Sequence, residues 1–147
     1  MIQSVNHHGT GKPSPASVEL KIDSDPANLR EVRQRIEDFA QAAGMPKEGS
    51  DELGLVINEA LANVIRHGYG GATDRPIVVT ADLENGAVRI TIRDWAKPFD
   101  PAAVPQKKTA DVTPGGLGLL CMKKLMDEVR FSRLSDGMLL TMIKRVR

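Results

Sequence analysis

The sequence predicts an α+β domain, a two-layer α/β sandwich whose mixed, mostly antiparallel sheet carries its helices on one face. Three observations lead there. Asn85-Gly86 and Asp136-Gly137 are hairpin-turn signals, each set between short runs of strand-like residues. Two segments in the first half repeat apolar residues at three- and four-residue steps, the period of an amphipathic helix. The resulting order, β-α-α-β-β-loop-α-β-β, puts hairpins side by side and leaves the helices to cover one face. A chain of 147 residues can bury roughly 68–70% of its unfolded surface, enough for one core without staples.

Residues 1–16 are polar, carry Pro13 and Pro15, and read as a flexible N-terminal segment on which His7 and His8 are solvated. The folded domain is expected over 17–147. Val18 to Ile22 alternates with period two and reads as a strand. Asp25-Pro26 supplies a cap and a first-turn proline. Leu29, Val32, Ile36, Phe39 and Ala43 then form the apolar stripe of a helix that stops at Gly44. Arg30, Glu31, Arg33, Arg35 and Glu37 read as its solvated face. A second helix begins between Pro46 and Asp51 and runs to about His67, with Leu53, Ile57, Ala60, Leu61 and Val64 as its stripe. Strands follow at 77–83 and 88–93. From Asp94 to Pro114 the chain has four prolines and little periodicity, the pattern of a lid or an unstructured loop. Gly115 to Gly118 opens a third helix expected to reach Asp127, with Cys121 and Met122 packed in the core. A last hairpin, 129–133 and 138–144, is expected to turn at Asp136-Gly137.

Composition excludes several functions. Twenty Lys and Arg against 19 Asp and Glu leave a net charge of +1, so no overall field recruits nucleic acid or anionic lipid. Aromatics, at 3%, are too few for a base-stacking platform. A single cysteine forms no internal disulfide and suits a reducing cytoplasm. With only three histidines beside it, a four-ligand Cys/His zinc site is excluded. No apolar run approaches the ~18 residues of a membrane span.

Candidate chemistry sits at three places. Glu59 and Asn63 are one helical turn apart and project from one side of the second helix, beside its apolar stripe. The alternative is a solvated helix edge. Asp94 ends a strand and is either a turn former or a buried acceptor for an exocyclic amine such as adenine N6. Gly115-Gly116-Leu117-Gly118 opens a helix, where free N–H groups and the positive dipole end favour an anion and glycines let phosphate come close. No Gly-Lys-Ser/Thr follows, so it is not a Walker loop.

Glu-Ala-Leu-Ala-Asn-Val-Ile-Arg-His-Gly-Tyr (59–69), Ile-Arg-Asp-Trp-Ala-Lys-Pro-Phe-Asp-Pro (92–101) and Gly-Gly-Leu-Gly-Leu (115–119) together resemble the histidine-kinase-like (GHKL) ATPase superfamily. They correspond to its asparagine box and two glycine boxes, in the expected order. Within it, the chain is most similar to the anti-sigma-factor serine/threonine kinases of bacterial partner-switching systems, over nearly all of 18–145. The resemblance implies the Bergerat fold, ATP and Mg²⁺. It implies Asn63 as the Mg²⁺ ligand, Glu59 as general base or orienter of the attacking hydroxyl, and Asp94 as the adenine reader. Ala96, Gly115, Gly116, Leu117 and Gly118 would surround the nucleotide, with 102–114 as a lid. Lys107 and Lys108 either reach phosphate from that lid or form a solvated pair. His67 matches the family's helix end as a cap or packing residue. Two positions depart from the family: Ala96 stands where the first glycine box usually has Gly, and Pro114 stands where some relatives have a basic residue. The implied partners are an anti-sigma-factor antagonist and a sigma factor, with a homodimer by family analogy. The competing reading is a nucleotide-binding anti-sigma or switch-partner module with little or no kinase activity.

Overall fold

The computed structural model describes residues 3–5, 17–98 and 118–147. Alternation decides which face of each strand is buried. Strand β2 (Val18–Asp23) turns Leu20 and Ile22 inward, β3 (Pro76–Glu84) turns in Ile77, Val79 and Ala81, and β4 (Ala87–Asp94) turns in Val88, Ile90, Ile92 and Asp94. Beyond them lie β5 (Glu128–Leu134) and β6 (Gly137–Arg145), which buries Met138, Leu140 and Met142 on the same side. Register sets these residues in rows: Leu20, Val79, Ile92 and Leu140 stand opposite one another across four strands. The sheet has the order β1-β2-β3-β4-β6-β5, and every described pair is antiparallel, in keeping with the mostly antiparallel sheet expected.

The helical stripes close the core from one face. A 3₁₀ turn (Pro26–Asn28), capped by Asp25 accepting from the Ala27 N–H at 2.9 Å, leads into α1 (Leu29–Ala42). Helix α2 (Lys47–Asn63) contributes Leu53, Val56, Ile57, Ala60 and Leu61, and α3 (Gly118–Leu125) contributes Met122. Burying each such side chain stabilises the fold by about 1.5–3 kcal/mol. Lys144 fastens the layers: its Nζ donates to the Leu125 carbonyl at 2.6 Å and lies 3.1 Å from Glu52 Oε2. No described helix is long and apolar enough to cross a membrane.

Four local expectations change. Within the expected N-terminal lead-in, Gln3–Val5 forms β1, paired with Glu19–Lys21; three residues are too few to show an alternation. Glu37, expected on the solvated face of α1, is only 8% exposed. It lies against Gly54 of α2, where a Cβ would come within 2.7 Å of its Cδ, and Arg33 Nε holds it at 3.1 Å. The second hairpin turns at Ser135-Asp136, because Gly137 already pairs with Leu134 as the first residue of β6. Helix α3 ends at Leu125 rather than Asp127, since the Asp127 N–H is taken by the Ile143 carbonyl at 2.9 Å. The first hairpin is as expected: Asn85 and Gly86 both have positive φ (51° and 74°), as a tight two-residue turn requires.

Candidate functional site

Helix α2 presents Glu59 and Asn63 one turn apart, at the edge of its buried stripe. Glu59 is 3% exposed and Asn63 half-buried, so the solvated-edge alternative does not hold for Glu59. No described group hydrogen-bonds to the Glu59 carboxylate. The fold therefore keeps this carboxyl at the margin of the core, beside the half-buried Asn63, rather than on an open helix edge.

After Asn63 the helix widens into one π turn, Val64–Gly68, closed by the Tyr69 N–H donating to the Val64 carbonyl at 2.9 Å. Such turns recur at functional sites because they re-aim the side chains beyond them. This one brings Tyr69 to the end of β4, where its hydroxyl accepts from the Trp95 N–H at 2.9 Å and donates to the Pro76 carbonyl at 2.6 Å. The end of α2 is thereby tied to the strand end that carries Asp94.

Asp94 faces inward at 3% exposure, in a row with Ile22, Ile77 and Met138. Its Oδ1 accepts from the Ala96 N–H at 2.9 Å. Burial pushes its carboxyl above the usual carboxylate range; the Ala96 and Met138 backbone N–H groups and nearby Arg93 offset only part of this. The folded chain therefore holds the Asp94 proton more tightly than the unfolded chain does. Stability from this group should fall as pH rises from the ordinary carboxylate value through the raised one. Denaturant midpoints of wild type minus those of Asp94→Ala should decline across that window, and a flat difference would refute it. In its carboxylate form the group is an acceptor in an apolar row, suited to an amine donor.

Behind Asp94 the outer side is braced. The Arg93 guanidinium stacks 4.3 Å from the centroid of the Trp95 ring, binds the Asp94 carbonyl, and pairs with Asp136 at 2.5 Å. Gly137 packs directly on the Asp94 carbonyl and Trp95 Cα.

A model of the histidine kinase-like ATPase domain matches residues 22–144 of the chain. The chain belongs to the histidine kinase-like ATPase domain family. Among relatives, it is 25% identical over 135 residues to the serine-protein kinase RsbW of Bacillus velezensis, covering 86% of this chain and 84% of that one. It is 28% identical over 100 residues to the anti-sigma F factor of Anoxybacillus flavithermus, covering 65% and 68%. A crystal structure of the RsbU and RsbW domains of a Mycobacterium tuberculosis protein superposes with a TM-score of 0.67 at 23% identity. It covers 90% of this chain and 32% of that longer one.

On this ATPase domain the asparagine box forms the end of α2, and the first glycine box turns out of β4. Ala96 is buried, and its N–H caps Asp94. His67 sits half-buried within the π turn. Gly118 is the first residue of α3, whereas Gly115, Gly116, Leu117, Lys107, Lys108 and the expected lid lie outside the described residues. Among the described residues no group of three or more His, Cys, Asp or Glu side chains could hold a metal ion. Two contributors to the site have no role that the sequence alone assigns. Tyr69 closes the asparagine box without one, and Gly137 reads as a turn residue.

Proposed function

We propose that this chain is an anti-sigma factor with ATP-dependent protein serine/threonine kinase activity, acting on an anti-sigma-factor antagonist. The observation that carries this reading is the pair of buried acids, Glu59 and Asp94. One sits on α2 and the other ends β4, and Tyr69 links the two elements within an ATPase-family fold. Support also comes from relatives named serine-protein kinase RsbW and anti-sigma F factor, which align over more than two thirds of their own lengths.

In this reading Asp94 accepts the adenine amine, and Ala96 lies beside the base. Gly115, Gly116, Leu117 and Gly118 offer backbone N–H groups to the phosphates, with Lys107 and Lys108 closing from the lid. Asn63 gives its amide oxygen to Mg²⁺, which would arrive with the nucleotide and neutralise phosphate charge. A single protein ligand of this kind suits a site whose described residues hold no acidic cluster, since phosphate oxygens would complete the shell. Glu59 takes the proton from the antagonist's serine hydroxyl as that oxygen bonds to the γ-phosphorus. The bond from phosphorus to the β–γ bridging oxygen breaks, and ADP leaves. A sigma factor is the partner in the alternative state, α1 the surface of a homodimer, and the cytoplasm the location.

Incubation with Mg-ATP and a candidate antagonist should yield phosphoserine on the antagonist by mass spectrometry. Asn63→Ala should bring Mg-ATP binding below detection by calorimetry and abolish transfer. If wild type binds both ATP and antagonist but transfers nothing, the chain is instead a nucleotide-sensing anti-sigma module.

A further inference from the structure

We infer that Tyr69 is a positioning residue for nucleotide recognition, its hydroxyl acting as a spacer that holds the Asp94-Trp95-Ala96 segment open for adenine. The inference rests on the nucleotide reading above. Strands β3 and β4 pair from Glu84↔Ala87 to Ile77↔Asp94, and one step further would set Pro76 opposite Trp95. That rung is not made directly. The Tyr69 hydroxyl stands in it, accepting from the Trp95 N–H at 2.9 Å and donating to the Pro76 carbonyl at 2.6 Å. One oxygen atom therefore separates the strands at the point where Asp94 turns inward and Ala96 caps it. Burial pushes the phenol's pKa up, so it keeps the proton it donates to Pro76.

The π turn is what delivers the hydroxyl. An i→i+5 turn takes one more residue than an α turn, and it leaves Tyr69 packed at the margin of the core that holds Leu53, Ile57 and Leu61, with its hydroxyl between Pro76 and Trp95. Arg93 and Gly137 brace the far side of the same segment, so the phenol is its inner support. Without the hydroxyl, Trp95 N–H either closes onto the Pro76 carbonyl or loses its partner. Either change moves Asp94, one residue away.

Tyr69→Phe keeps the ring and removes only the spacer. Loss of one neutral hydrogen-bond relay predicts an ATP dissociation constant raised about five- to tenfold, with the preference for ATP over GTP falling by a similar factor. Maximal transfer at saturating ATP should stay within about twofold, a split that general loss of fold would not give. Trp95 is the sole tryptophan, so its emission and the exchange of its backbone amide report the segment directly, with or without nucleotide. Both should change in the nucleotide-free variant. Tyr69 is also the sole tyrosine, so fluorotyrosine labelling of the otherwise natural chain gives one fluorine resonance, which should move on ATP addition. A folded Tyr69→Phe with unchanged Trp95 exchange and unchanged ATP-over-GTP preference would overturn the inference, as would an unmoved fluorine signal at saturating ATP. Failure of wild type to bind ATP would instead remove the nucleotide reading, while the Trp95 measurements still decide whether the spacer exists.

Discussion

Replacing Glu59 with Gln is expected to slow phosphoryl transfer to the antagonist about 10²- to 10⁴-fold, the usual contribution of a positioned general base. The amide has nearly the same shape and cannot take the serine proton. Nucleotide affinity should change little, because in this reading Glu59 meets the attacking hydroxyl and Asn63 meets the metal. Stability should hold, since no described hydrogen bond to the carboxylate is lost and the amide fills the same space. Single-turnover transfer, calorimetry with Mg-ATP and a denaturant midpoint measure the three effects separately. Transfer at the wild-type rate would remove Glu59 from the chemistry. A parallel loss of ATP binding would place it among the nucleotide contacts instead.

Much of this arrangement was legible because periodicity is local. The alternation Val88, Ile90, Ile92 points to Asp94 two residues later, which left a buried acceptor open beside a turn former; β4 runs through Asp94 and so turns its carboxyl inward. The same holds for the α2 stripe, which fixes Glu59 and Asn63 to one side of a helix before any partner is known. Asn85-Gly86 was legible because positive φ at both positions is a property of the turn itself.

The features that sequence did not reveal depend on neighbours distant in the chain. Glu37 is buried because Gly54 sits opposite on another helix, and neither residue's surroundings in sequence say so. Tyr69 acquires a role only once β3 and β4 are in register and a π turn has shifted it by one residue. The roles of Asn63 and the glycine run were different again. Spacing showed an amide near a carboxylate and an anion-favouring helix start, and the assignment to Mg²⁺ and phosphate came from the family pattern.

Gly137→Ala is expected to be the most damaging single methyl group added to the described fold. Gly137 lies opposite Leu134, past the turn, with a φ of 154° that L residues rarely adopt, and its surroundings leave no room for a side chain either. A Cβ there would overlap the Asp94 carbonyl oxygen and approach Trp95 Cα to 2.8 Å. Both are backbone atoms at the end of β4, and neither can swing aside as a flexible side chain would. Relief requires β6 to part from β4 or the Asp94 segment to move inward, onto the Tyr69 hydroxyl. We expect a loss of about 3 kcal/mol in stability, at the upper end for overpacking, and more than about tenfold in ATP affinity, that is over ~1.4 kcal/mol. Gly86→Ala is the matched control. Its φ of 74° imposes strain of about 1 kcal/mol, but its Cβ meets nothing within 4 Å, and it lies at the opposite end of β4 from Asp94. Its ATP affinity should equal wild type. Urea midpoints and calorimetry on the two variants should therefore separate. If Gly86→Ala proves the more costly, or if Gly137→Ala binds ATP normally, the close packing of β6 on Asp94 does not shape the site.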